Sequence, residues 1–162
     1  MGDHTEAISI DYDPSVISYS ELLNYFWRGH RCELNNSSVQ YQNAIFYRNE
    51  KQKELAENSR DQWAKRQGVT VAQVQTKIKP VKEFTYAEKY HQKYSLSGDI
   101  RDALEEIHPD AKSLADSTVA TRLNAYLGSG MKKNSKQFLE ELSEYGLPEE
   151  VEAMIRKRIQ RF

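Results

Sequence analysis

The sequence contains a single cysteine, Cys32, among its 162 residues. This count excludes an internal disulfide and a cysteine-based zinc cluster. No stretch reaches the roughly 18 apolar residues that a membrane span requires, and the first residues lack the apolar core of a signal peptide. The net charge is −1, so no overall field attracts nucleic acid or membranes. We therefore expect a cytoplasmic protein that binds neither.

The composition is more polar than that of an average globular domain. Hydrophobic residues make up 38% and charged residues 29% of the chain, and the mean hydropathy is −0.81. Five Phe, ten Tyr and two Trp residues can nevertheless build a core, which argues against a wholly disordered chain. The length fits one ordinary domain, or one domain with a small appendage.

The first half of the chain combines strand and helix patterns in the order β-α-β-α-β. Alternating polarity or a short apolar run indicates a strand, and apolar residues at i, i+3 and i+4 between capping residues indicate a helix. The strands are predicted at Thr5–Tyr12, Tyr41–Tyr47 and Val74–Lys79. The helices are predicted between Ser18 and Gly29 and from Asn49 to about Gln67. The end of the second strand, residues 44–47, is predicted to be buried on both faces.

Only helix patterns follow from Gly98 to the last residue. Four short helices are predicted: one at 100–107 capped by Asp99, and others from Ser117 to Gly128, from Asn134 and from Pro148. The change of pattern predicts an α+β domain at residues 1–97 and a helical extension at residues 98–162.

The predicted sheet has too few strands to cover its buried strand on both sides. A strand that is buried on both faces requires neighbouring strands and covering layers. The first predicted strand begins almost at Met1, which leaves no room for a further strand before it in this sequence. Two alternatives remain, a small sheet or a domain whose upstream part is missing, and the pattern favours the second.

Three segments within the first 94 residues carry a distinctive pattern. They are GDHTEAISIDYDPSVISYSELLNYFWRGH (2–30), VQYQNAIFYRNEKQ (39–52) and FTYAEKYHQKY (84–94). In this order and spacing they resemble the peptide methionine-S-sulfoxide reductases (MsrA type). The stretch after His30 resembles the short-loop version of the family, and the helical tail resembles an extension that some short-loop members carry.

The resemblance implies a partial ferredoxin-like two-layer sandwich and a peptide-methionine (S)-S-oxide reductase, an oxidoreductase of protein repair under oxidative stress. In this family a nucleophilic cysteine attacks the sulfur of methionine sulfoxide, free or in peptides and proteins. The oxygen is protonated as it leaves the substrate, and a sulfenic acid forms on the enzyme. Thiols, usually from thioredoxin, then restore the cysteine. The resemblance implies no cofactor and no metal.

Glu6 matches the family's acid in the segment Asp3-His4-Thr5-Glu6. The implied role is to protonate or hydrogen-bond the sulfoxide oxygen. Because Glu6 shares the strand face of Ile8 and Ile10, we expect partial burial that raises the pKa of its carboxyl group towards the general-acid range. The alternative is a solvated glutamate at a frayed strand end.

Tyr41 matches the family's tyrosine in a segment that reads Gln40-Tyr41-Gln42-Asn43 here. The resemblance implies that its hydroxyl donates to the sulfoxide oxygen, on which charge develops. Gln42 and Asn43 replace the family's Arg and Ser. The alternative is a structural tyrosine at the start of a strand, with a packed ring and a solvent-exposed hydroxyl.

The family's nucleophile lies in a Gly-Cys-Phe-Trp segment that does not occur in this sequence. Cys32 matches an ordinary loop residue of the family instead. Arg31 favours a lower thiol pKa, but a thiol after the C-terminal end of a helix meets the unfavourable end of the helix dipole. We therefore expect that Cys32 is not the nucleophile.

His91 matches the Tyr-His-Gln stretch of the family, and we interpret it as a structural or substrate-pocket residue without metal partners. Two functions remain open from the sequence. The first is the reductase, inactive or truncated as it stands because the nucleophile segment is absent. The second is a non-catalytic binding or interaction protein built on a reductase remnant.

Overall fold

The computed structural model describes residues 4–34, 38–96, 98–129 and 135–160. The chain divides into two compact units, Met1–Phe84 and Thr85–Phe162, here called the first and second units. Among the described residues, the first unit contains helices and strands and the second contains helices without strands, which confirms an α+β protein with a helical extension. The division into functional domains at residues 97 and 98 stays a prediction.

Two well-capped helices dominate the first unit. Helix α1 (Tyr19–Arg28) begins with the predicted capping box, in which the Ser18 hydroxyl accepts from the Glu21 N–H at 3.2 Å. Helix α2 (Glu50–Gln67) begins at Asn49, whose side chain accepts from the Gln52 N–H at 2.9 Å. Gly68 ends α2 with a φ of 70°, a left-handed conformation that glycine adopts at little cost.

The sheet of the described residues has two parallel strands that α2 connects. Strand β1 (Ala44–Tyr47) pairs with strand β2 (Lys77–Pro80), with Ile45 opposite Ile78. Both strands are shorter than predicted. Only Ile45 of β1 is buried, so the prediction that the whole AIFY stretch is buried on both faces is wrong.

The predicted first strand at Thr5–Tyr12 is absent from the described structure. Among the described residues, the segment makes one backbone hydrogen bond to another segment, from the Glu6 N–H to the Gln40 carbonyl oxygen at 2.9 Å. Ile8 and Ile10 are 84% and 52% exposed. Alternating polarity alone does not make a strand, because a strand also needs neighbours that accept and donate its backbone hydrogen bonds.

The core of the first unit forms where α1 and α2 meet the sheet. Trp27 is 1% exposed, and its indole Nε1 donates to the Ser59 hydroxyl of α2 at 2.8 Å. The Phe26 and His30 rings lie 5.3 and 5.6 Å from the Trp27 ring, measured between centroids. The buried residues of this core are Leu23, Trp27, Cys32, Ile45 and Ala56.

The described residues of the second unit form five α-helices. They are α3 (Asp99–Ile107), α4 (Ala111–Asp116), α5 (Thr118–Ser129), α6 (Ser135–Glu141) and α7 (Glu149–Ile159). Helix α4 is missing from the sequence-based prediction. Gly98 rather than Asp99 precedes the first turn of α3 as the cap. The predicted cap at Asn134 lies outside the described residues.

The helix predicted to end at Gly128 continues through this residue to Ser129. A Cβ at position 128 would lie 3.0 Å from the Ser95 Cβ and 2.3 Å from its Oγ. The glycine therefore permits a close approach of α5 to the Ser95 segment instead of terminating the helix. The Asn124 side chain of α5 also accepts from the Ser95 N–H, at 2.8 Å.

A separate apolar core fills the second unit. Its residues come from all five helices and the short 3₁₀ helix Leu142–Tyr145, and most of them are less than 5% exposed. Phe138 is completely buried, with its ring 4.6 Å from that of Tyr126 and 6.3 Å from that of Tyr145. The helical extension thus packs its own apolar faces together.

Candidate functional site

The segment that carries Glu6 lies beside the segment that carries Tyr41, ahead of β1. The Glu6 N–H donates to the Gln40 carbonyl at 2.9 Å, and the Gln40 side-chain Nε2 donates to Glu6 Oε1 at 2.8 Å. On the other side of Tyr41, the Gln42 Nε2 donates to Thr5 Oγ1 at 2.6 Å. These bonds fix the Glu6 segment against the two residues that flank Tyr41.

Both side chains of this pair are accessible. Tyr41 is 54% exposed, and Glu6 is also exposed. The expectation that Glu6 is partly buried is therefore wrong for this structure, because the strand that would bury it is not formed. Exposure places the phenol and the carboxyl group where a ligand from solution reaches them.

The chemistry of the pair suits an oxygen ligand. A phenol donates one hydrogen bond, and a carboxyl group accepts in its ionised form and donates in its protonated form. Such groups can hydrogen-bond an acceptor oxygen and exchange a proton with it. The hydrogen bonds through Gln40 and Gln42 place the segment of Glu6 beside that of Tyr41, and the catalytic role of both residues stays a prediction.

Gln40 and Gln42 are site residues that the sequence analysis did not identify. The Gln40 side chain donates to the carboxylate of Glu6, and the Gln42 side chain donates to the hydroxyl of Thr5, the residue before Glu6. Both are polar, like many other loop residues. The one sequence feature that could have indicated their role is their position directly before and after Tyr41. Gln42 stands where the family has Arg, and in this chain its amide binds Thr5 instead.

Cys32 belongs to the core of the first unit and not to an open loop surface. It is 1% exposed, and the Sγ atom lies 3.8 Å from Glu33 Oε2. Burial, followed by the negative charge of Glu33, raises the pKa of the Cys32 thiol. The expectation that Arg31 lowers this pKa is wrong, because the guanidinium pairs with Glu33 at 2.7 Å. A buried thiol with a raised pKa is a poor nucleophile.

His91 lies in the second unit, at the end of the short 3₁₀ helix Lys89–His91. Its ring is 4.3 Å from the Tyr90 ring between centroids, and its Nε2 is 3.7 Å from Glu88 Oε2. The imidazole is about half exposed. It is therefore available to a ligand, and the contacts that orient it come from its own segment.

Within residues 4–34, 38–96, 98–129 and 135–160, no cluster of three or more His, Cys, Asp or Glu side chains is arranged to hold a metal ion. No helix in that part of the chain has both the length and the apolar character needed to cross a membrane.

The described residues form an α+β protein in which Glu6 and Tyr41 lie on adjacent segments and are both exposed. A sequence model of the family described as Peptide methionine sulfoxide reductase matches residues 1–122. This match covers most of the chain, and the chain therefore belongs to the peptide methionine sulfoxide reductase family. The resemblance inferred from the three sequence segments is confirmed.

Individual relatives agree with the family match. A peptide methionine sulfoxide reductase of Drosophila melanogaster is 42% identical over 128 residues, covering 78% of this chain and 51% of the relative. The Methanosarcina acetivorans protein named peptide methionine sulfoxide reductase MsrA is 42% identical over 96 residues, 56% of this chain and 50% of the relative. A Solanum lycopersicum peptide methionine sulfoxide reductase is 39% identical over 101 residues. The chain spans about half the length of these relatives.

Proposed function

We propose that this chain provides the oxygen-binding part of a peptide-methionine (S)-S-oxide reductase. Glu6 and Tyr41 bind the sulfoxide oxygen of the S epimer, and Glu6 supplies the proton that this oxygen takes up. The observation that carries the proposal is the paired hydrogen bonding of Glu6 with Gln40, directly before Tyr41. Membership of the reductase family supports it independently.

The reaction also needs a sulfur nucleophile and a reductant. A thiolate attacks the sulfoxide sulfur, the methionine leaves as the thioether, and the oxygen remains on the attacking sulfur as a sulfenic acid. One thiol condenses with the sulfenic acid and releases water, and a second thiol reduces the resulting disulfide. Because Cys32 is buried and is the single cysteine of these 162 residues, we assign the nucleophile to a cysteine that this sequence does not contain. We propose thioredoxin or another thiol as reductant.

The cellular role follows from the same chemistry. We propose repair of oxidised methionine in proteins under oxidative stress, in the cytoplasm. Residues 1–97 are the reductase-like part in this proposal, and residues 98–162 are the helical extension. The family relationship favours this function over a non-catalytic binding protein, because the named relatives are reductases.

Tyr41→Phe is expected to weaken binding of N-acetylmethionine (S)-sulfoxide about fivefold, because one hydrogen bond to the sulfoxide oxygen is lost. Glu6→Gln is expected to weaken it to a similar extent. The measurement is an NMR titration of the full chain with the separate S and R epimers. Tyr25→Phe is the matched control, since Tyr25 is 67% exposed on α1. Equal binding of the S epimer by wild type and Tyr41→Phe would contradict the assignment of Tyr41.

Cys32→Ser is expected to leave both binding and turnover unchanged. With dithiothreitol as reductant, the 162-residue chain is expected to reduce neither epimer, because the one thiol it carries is buried in the core. The measurement is release of the thioether from each epimer. Turnover of the S epimer that disappears in Cys32→Ser would show that Cys32 is the nucleophile after all.

A further inference from the structure

A cluster of titratable side chains lies in the second unit, and its centre is the Asp116 carboxylate at the end of α4. The Tyr86 hydroxyl donates to Asp116 Oδ1 at 3.2 Å, and the Lys112 ammonium pairs with Asp116 Oδ2. The same ammonium lies 5.7 Å from the centroid of the Tyr86 ring. Both oxygens of Asp116 are therefore engaged.

A second lysine faces this carboxylate without a partner of its own. The charge of Asp116 acts on the Lys93 ammonium, yet in the described part of the chain the Lys93 Nζ makes no hydrogen bond and no ion pair. Two neighbouring cations, Lys89 and Arg101, take Glu105 as their partner instead. Lys93 is partly buried, and burial of an ammonium group without an acceptor is unfavourable.

Backbone contacts hold Lys93 in this position. Its φ is 49°, a left-handed conformation that is uncommon for residues other than glycine and that persists only where the surroundings hold it. The Leu96 N–H donates to the Lys93 carbonyl at 2.9 Å. The Arg101 Nη1 donates to the carbonyls of Gln92 at 3.2 Å and Lys93 at 3.5 Å. Because Arg101 belongs to α3, these bonds tie the Lys93 backbone to a helix of the core.

The two lysines of the cluster differ in acidity. Burial lowers the pKa of the Lys93 ammonium, and the charge of Asp116 opposes part of that effect. The hydrogen bond to Asp116, followed by the charge of the same carboxylate, raises the pKa of the Lys112 ammonium. Near neutral pH, Lys93 therefore carries a larger fraction of neutral amine than Lys112 does. The neutral amine is the nucleophilic form of a lysine.

We propose that Lys93 is a modification site of the second unit, at which the ε-amine takes an acyl group from an acyl thioester. The ammonium first loses a proton to solvent, and the nitrogen lone pair then attacks the carbonyl carbon of the thioester. The C–N bond forms and the C–S bond breaks. The thiolate leaves with the bonding electrons and takes up the second proton of the amine as a free thiol. The product is a neutral amide, which removes the charge from this partly buried position.

The test is acetylation of the full chain by acetyl-coenzyme A, with the rate at each lysine followed by peptide mass spectrometry. Lys112 is the internal control, because it belongs to the same cluster and its side chain is 65% exposed. If exposure governed the reaction, Lys112 would react faster than Lys93. We expect Lys93 instead to react at least about fivefold faster at about pH 8, because one unit of pKa changes the fraction of neutral amine about tenfold.

Asp116→Asn separates the effect of burial from that of the carboxylate. The variant removes the partner of Lys112, so we expect the Lys112 rate to rise, whereas Lys93 keeps at least its wild-type rate. Amide shifts of the second-unit core report that the variant is folded. In the wild-type chain unfolded by urea, the ratio of the Lys93 and Lys112 rates is expected to fall to about one, because burial no longer distinguishes the two amines.

Three outcomes overturn the assignment of Lys93. The first is a Lys112 rate that equals or exceeds the Lys93 rate in the folded wild type. The second is a Lys93 rate that falls at least about fivefold in folded Asp116→Asn, because the carboxylate rather than burial would then make the amine reactive. The third is a rate ratio that persists in urea, since the local sequence rather than the fold would then set it. Faster acetylation of Lys93 that is kept in Asp116→Asn and lost in urea supports the assignment.

Discussion

Trp27→Ala is expected to lower the free energy of unfolding of the first unit by about 3–5 kcal/mol. Trp27 is 1% exposed and contacts the rings of Phe26 and His30. Removing the indole leaves a cavity that the short strands and two helices around it cannot fill. Amide hydrogen exchange in α1 and α2 measures the effect, because it gives the opening free energy of each helix.

Two further substitutions separate the parts of the Trp27 effect. Ser59→Ala removes the acceptor of the indole N–H and leaves a buried donor without a partner, which costs about 1–3 kcal/mol. Trp63→Ala removes a second tryptophan that is only partly buried against the same core, so its cost is expected to be smaller. A loss in Trp27→Ala no greater than that in Trp63→Ala would show that Trp27 is not the centre of this core.

Phe138→Ala is expected to cost the second unit about 3–5 kcal/mol. Its ring is fully buried and lies between the rings of Tyr126 and Tyr145. The loss combines the apolar area returned to water with the cavity left beside two aromatic neighbours. Exchange of the amides of α5 and α7 is the measurement, since both helices contribute residues to the same cluster.

Tyr94→Ala is the control for Phe138→Ala. Tyr94 is 82% exposed in the same unit, so its removal is expected to change stability by less than about 0.5 kcal/mol. A Phe138→Ala variant as stable as Tyr94→Ala would contradict the core assigned to the helical extension.

Local signals in the sequence predicted α1, α2 and the start of α7 correctly. Ser18 and Asn49 cap the first turns of α1 and α2, and Gly68 ends α2. Each of these residues bonds with backbone groups a few residues away, so the local pattern is enough to predict the helix ends. The same holds for Pro148 at the start of α7. Helix α4 is too short for its apolar residues to show a period, and only the Asp110 cap marks it.

Features that depend on distant segments were not predictable from the pattern. The Thr5–Tyr12 alternation requires strand neighbours, and Glu6 burial depended on the same strand. Cys32 lies in a polar stretch, but the Gln75 N–H donates to its carbonyl at 2.7 Å and holds it against the core. Glu6 and Tyr41 themselves were identified through the family resemblance. Their connection through Gln40 is a contact across 34 residues, which spacing along the chain does not reveal.

The parallel pairing of β1 with β2 has a consequence for folding kinetics. Parallel neighbours cannot be joined by a tight turn, so Ala44 meets Lys77 only after the whole of α2 has been closed into a loop. The second unit makes its core from helices that follow one another along the chain. That core also joins the first and last of these helices, α3 and α7, so folding of the second unit requires the closure of a long loop as well. Docking of β2 is also the step that brings the Gln75 N–H to the Cys32 carbonyl and adds Ile78 to the core around Trp27.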